Sequence, residues 1–120
     1  MDVRNLIDIP EVGDVTCGRF KPLYESSEGN CSLVYFEISS STIPHKHERM
    51  TEMYFIHSGA GIMRIGNESM LVRSGDRIII PKGEIHQIIP TFGSLEMEVL
   101  ADPKFDPSDI IESPDFYNSK

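Results

Sequence analysis

MYFIHSGAGIMRIGNESMLVRSGDRIII, Met53 to Ile80, is the stretch whose reading decides the fold. Its runs MYFIH, IMRI, SMLV and RIII are short, apolar and rich in residues that suit a pleated, half-buried surface. Between them stand Ser58-Gly59, Gly66-Asn67 and Ser74-Gly75-Asp76, which are turn signals. The pattern continues outward in both directions. SLVYFEI precedes it at Ser32–Ile38, and EIHQII follows at Glu84–Ile89 after the turn Pro81-Lys82-Gly83. Beyond Phe92-Gly93-Ser94, Leu95-Glu96-Met97-Glu98-Val99 alternates apolar and charged at period two, as a strand with one buried face does. Strands recur about every eight to twelve residues, the rhythm of a β-sandwich or barrel. No segment after residue 20 holds a helical period, and there is no internal repeat. The chain therefore reads as all-β.

At 120 residues the chain suits one domain, residues 1–120, and buries enough surface for a real core without staples. The tail from Ala101 to Lys120 changes character, with Asp102-Pro103, Asp106-Pro107 and Ser113-Pro114-Asp115. Prolines at that density forbid a continuing central strand. Ser108-Asp109-Ile110-Ile111 is expected to make one helical turn, and the rest of the tail to wrap the outside or fray.

A net charge of −8 argues against nucleic acid and anionic membrane surfaces, because both demand a basic footprint. A helix-turn-helix domain has no room here. No basic-then-apolar leader and no spanning run of about 20 apolar residues is visible. Cys17 and Cys31 lack CxxC spacing and read as reduced thiols, with a disulfide between them the lesser alternative, so a cytoplasmic protein is expected.

The chemistry gathers in PHKHERMTEMYF, Pro44 to Phe55. His45 and His47 are two apart, so a strand projects them to one side. The polar Glu48-Arg49-Met50-Thr51 reads as a turn that returns Glu52 beside them on a neighbouring strand. Downstream, the Pro81-Gly83 turn delivers His86 to the head of the next strand. If the faces agree, three imidazoles and one carboxylate converge, a nitrogen–oxygen set with open positions that suits a divalent Mn, Fe, Co, Ni, Cu or Zn ion. Each of these residues alone would more simply be structural or solvated; the joint spacing carries the signal. His57 falls on the wrong parity and reads as a packing or exterior residue. Gly59, Gly66, Gly75 and Gly83 read as turn glycines with positive φ.

That spacing resembles the cupin superfamily. Its first motif, G-x5-H-x-H-x3,4-E-x6-G, aligns with Ser39-x5-His45-Lys46-His47-x4-Glu52-x6-Gly59, departing only at Ser39. Its second, G-x5-P-x-G-x2-H-x3-N, aligns with Gly75-x5-Pro81-Lys82-Gly83-x2-His86-x3-Pro90, departing only at Pro90, where an edge or bulge is expected. The resemblance covers about residues 30–101. The wording is similar to small single-domain cupins described as mannose-6-phosphate isomerase-like. It implies a double-stranded β-helix (jelly-roll) barrel, with 1–29 an N-terminal strand segment and 102–120 a proline-rich tail. It also implies His45, His47, Glu52 and His86 as metal ligands, and a homodimer in which Val15 to Leu23 adds to a partner sheet.

A metal so held polarises a carbonyl or activates a small molecule. A metal-dependent enzyme acting on a sugar or a keto or hydroxy acid, of isomerase or dioxygenase type, is expected. The alternative is a non-catalytic module that binds a metal or metabolite. Tyr54 shares the face of Glu52 and is the candidate catalytic and pocket residue. Ile56, Ile88 and Met97, with Met63, would be apolar walls. Glu96 and Glu98 fall on the outward face of their strand. Lys46, Arg49, Lys82 and Arg64 are the cations available for a phosphorylated substrate, though solvated surface charge explains each more simply.

Overall fold

The computed structural model describes residues 1–12, 14–15 and 18–118, with the backbone alone described at 14–15. Its strands are β1 (Asp14–Val15), β2 (Gly18–Glu25), β3 (Ser32–Ile38), β4 (His45–Lys46), β5 (Thr51–Ser58), β6 (Ala60–Ile65), β7 (Glu68–Arg73), β8 (Arg77–Ile80), β9 (His86–Pro90), β10 (Leu95–Asp102) and β11 (Ile111–Glu112). They form a six-stranded sheet in the order β1-β2-β3-β10-β5-β8 and a five-stranded sheet in the order β11-β4-β9-β6-β7. All pairings are antiparallel, from β2 on β3 to β6 on β9. The architecture is the expected all-β jelly roll.

Period-two patterning assigns the faces. On β10, Leu95, Met97, Val99 and Ala101 are buried, while Glu96 and Glu98 between them point away. On β5, Glu52, Tyr54 and Ile56 are buried and the alternate residues are not. Of these, Tyr54, Ile56, Leu95, Met97 and Val99 meet Ile38, Met63, Val72, Ile80 and Ile88 in one core. Each large aliphatic side chain so buried contributes roughly 1.5–3 kcal/mol. A slip of one residue in the β10–β5 register would turn the whole apolar set outward, which is why the register is fixed.

All four turn glycines have positive φ: Gly59 +88°, Gly66 +57°, Gly75 +94° and Gly83 +83°. Pro90 is not in a bulge; β4 pairs with β9 only at His86, so at Pro90 the strand has a partner, β6, on one side alone. It ends β9 opposite Gly61, where its missing N–H interrupts no continuing ladder. Register shifts lie instead in the six-stranded sheet, on β10 between Glu96 and Met97 and on β2 between Pro22 and Tyr24.

The tail wraps the barrel. A short 3-10 turn, Pro107–Asp109, is capped by the Asp106 side chain, and β11 then adds to β4, a strand the sequence did not announce. Val15 and the run Gly18 to Leu23 lie in this chain's own sheet, since β2 is paired on one side with β1 and on the other with β3. Of this segment only β1 stands at an edge of the sheet. Cys17 lies outside the described residues. No helix among the described residues is long and apolar enough to cross a membrane.

Candidate metal centre

Two sheets build the site. His45 on β4 sits directly opposite His86 on β9, and His47 follows one residue after β4. Glu52 does not return on a strand beside them, as the sequence suggested. β4 and β5 belong to different sheets, so the loop from His47 to Met50 crosses the sandwich and Glu52 faces the histidines from the opposite layer. The turn before His86 needs a residue with φ of +83° at Gly83, and the Gly83 N–H donates to the His47 carbonyl at 2.6 Å, tying the two histidine segments together.

The three imidazole centroids lie 4.4, 5.0 and 5.2 Å apart, and one nitrogen from each ring falls within 4.8 Å of the others. Each Nδ1 faces a backbone carbonyl: His45 that of Ile43 at 2.7 Å, His47 that of Asp109 at 2.7 Å, and His86 that of Glu84 at 3.0 Å. A carbonyl only accepts, so each Nδ1 carries a hydrogen, and the neutral form of each ring has its lone pair at Nε2. Glu52 Oε1 lies 3.0 Å from His47 Nε2 and 3.4 Å from His86 Nε2. These three atoms are buried and none makes an aligned hydrogen bond. Buried polar atoms of this kind are costly unless something satisfies them. A cation among them would do so, and the donor set fits one.

The electrostatics agree with that fit. Burial, with His86 close by, pushes the His45 imidazole down to about 4, so it is neutral near pH 7. Burial also works against the charged form of His47, but the facing Glu52 carboxylate outweighs it and raises that imidazole above its ordinary value. Burial alone would raise Glu52; His47 and His86 overcome it and hold the carboxyl down at about 2. The site is thus an ionised carboxylate among clustered imidazoles.

Asp109 is the residue sequence reasoning missed. It is 2% exposed, and its two carboxylate oxygens accept the amides of Glu48 at 2.9 Å and Arg49 at 3.0 Å. Burial pushes its carboxyl up, yet those amides hold it below the usual range. Its backbone carbonyl receives the His47 Nδ1–H. The tail therefore fixes both the crossing loop and a ring orientation, as outer partners of metal ligands commonly do. Asp109 lies 62 residues from His47, so no local spacing could reveal it.

Tyr54 is buried beside the cluster, its ring edge-on to His86 at 6.4 Å between centroids. Ile56, Ile88 and Met97 are 1–3% exposed and belong to the packed core. The apolar cavity that reaches Glu52 is walled by other residues, on β2, β3, β10 and the tail. Glu98 faces outward and meets the exposed His57, while Glu96 meets Tyr35 and Ser58. Lys46 pairs with Glu48, Arg49 with Asp106, and Arg64 stacks over Tyr117. These three cations are thus occupied on the surface.

Comparison with known proteins places this geometry in context. The family model described as the cupin domain matches residues 32–101. An uncharacterized protein of Methanocaldococcus jannaschii is 31% identical over 78 residues, 65% of this chain. The match spans only 62% of that relative's length. Among solved structures, a Streptomyces Pac13 variant with uridine superposes with a TM-score of 0.78 at 16% identity, covering 95% of this chain and 91% of that one. KdgF from a Halomonas species gives 0.78 at 16% identity over 87% and 96%. Ectoine synthase from P. lautus gives 0.76 at 19% identity over 90% and 82%. At these identities the likeness speaks for the fold alone.

Proposed function

The chain belongs to the cupin family, and from that premise we propose that it is a single-domain metal-binding protein, residues 1–120, acting on a small molecule. His45, His47, His86 and Glu52 are its ligands, and a divalent first-row transition metal is its cofactor. One observation carries the reading: three histidines have every Nδ1 committed to a carbonyl and cluster within 4.8 Å, with the Nε2 atoms of His47 and His86 against one buried carboxylate oxygen. A metal held there would supply Lewis acidity toward an oxygen-bearing ligand. The chain's own part is to orient the rings, keep Glu52 ionised and exclude bulk water from the cluster.

We favour a metal-dependent enzyme on a keto or hydroxy acid or a sugar, of isomerase or dioxygenase type. The enzymes among its structural neighbours, such as Pac13, described as a nucleoside dehydratase, show what this fold can host. A specific observation keeps the binding-module reading in play. Glu96 and Glu98 face away from the site, which leaves Tyr54 as the named candidate for proton transfer there. We also propose a cytoplasmic homodimer, with the β1 edge as the strand available to a partner sheet. Elemental analysis of the purified protein tests the site. About one equivalent of transition metal per chain is expected, with a loss of most of it in His45→Ala and His86→Ala. Negligible metal, or equal metal in all three proteins, rejects the assignment. A metabolite panel then separates turnover from binding alone.

A further inference from the structure

Glu52 is the one residue shared by the histidine cluster and a cavity of about 100 Å³ in the six-stranded sheet. The cavity is walled by Phe20, Val34, Phe36, Val99, Ala101 and Phe105. Among the described residues, Ser32 and Glu52 are its only polar side chains, and no lysine or arginine lines it. The Ser32 hydroxyl oxygen accepts the Phe105 amide at 2.9 Å, so this polar group is tied to the tail that closes the cavity. Phe105 is 37% exposed and marks the side open to solvent.

A cavity of this volume is about that of a branched four-carbon group, somewhat below one that admits benzene. Its lining offers no cation to a phosphate and too few donors for the hydroxyls of a sugar. We propose that this cavity is the specificity pocket for the site, and that it takes the short branched alkyl side chain of a 2-oxo or 2-hydroxy acid whose oxygens lie at the histidine cluster. The inference rests on the metal-site reading and narrows it: oxy-acids with an apolar branch fit, and sugar phosphates do not.

The probes are 4-methyl-2-oxopentanoate and pyruvate, which share the oxygen-bearing head and differ by three carbons. Calorimetric titration of cobalt-loaded protein, with cobalt content measured on each sample, reads both affinities. The branched acid should bind roughly 50-fold more tightly, the transfer free energy of three buried carbons. Val34→Phe fills the cavity from β3, which β10 separates from the Glu52 strand. It should cut the preference below about fivefold while cobalt content and pyruvate affinity hold. If that variant does not fold, Phe105→Ala, off any strand and partly exposed, opens the same wall and should lower the preference several-fold. Equal affinities in the native protein, or an unchanged preference in the folded variants, overturn the pocket assignment while leaving the metal site standing. A native protein that takes up no cobalt overturns both.

Discussion

Removing the Asp109 carboxylate should loosen the candidate metal site from the outside. In Asp109→Ala two N–H···O⁻ contacts disappear, at 2.9 Å from Glu48 and 3.0 Å from Arg49. Hydrogen bonds to a charged partner contribute about 1.5–3 kcal/mol each, and these amides sit in a partly buried loop that water re-enters. We therefore expect about 3 kcal/mol of destabilisation, or a Tm lower by roughly 10 °C in a chain of this size. With the Glu48–Arg49 loop no longer anchored to the tail, His47 is held less firmly and metal affinity should fall by about 10- to 100-fold. The effect has a pH signature. The folded carboxyl lies below its ordinary 3.8, so its contribution is present above that pH and disappears as pH falls through the lower folded value. Denaturant unfolding of native and variant protein from pH 7 to pH 3, with metal competition at pH 7, measures both. A stability change under about 1 kcal/mol together with unchanged metal affinity would refute the role given to the tail.

Further outcomes follow from the same geometry. Metal affinity should rise with pH until the His47 imidazole, raised by Glu52, is deprotonated, and uptake below that pH should release a proton; calorimetry in buffers of different ionisation enthalpy reads it. Neutral His45, held down to about 4, should contribute no such proton near pH 7. Gly83→Ala places a side chain at φ of +83° with no neighbour to clash, so backbone strain alone should cost about 1–2 kcal/mol by denaturant unfolding and weaken metal binding through His47 and His86. His57→Ala, at an exposed contact with Glu98 on the outer face, should change stability by less than about 1 kcal/mol and leave metal content as it was.

Much of this was legible in local pattern. Alternation at Leu95–Val99 and the glycine-bearing turns announced the strands, because side-chain period and positive φ are local properties. The spacing of His45, His47 and His86 likewise survives in one dimension. What was not legible depends on which strands become neighbours. Glu52 reaches the histidines across the sandwich, since β4 and β5 enter different sheets, and nothing in Glu48–Thr51 encodes that crossing. Ile56, Ile88 and Met97 share the inward parity of the site but lie in the packed core, because parity selects a face and not a depth. Asp109, β11 and the cavity walls Phe20 and Phe105 come from the two ends of the chain, where only tertiary contact joins them to the centre.

The most direct test is a crystal of the metal-loaded protein measured at the metal's absorption edge. The account predicts one anomalous peak per chain, bounded by the His45, His47 and His86 Nε2 atoms and Glu52 Oε1, and gone in His86→Ala. A metal-loaded protein whose only peak lies elsewhere, or one whose peak persists there without His86, would contradict it.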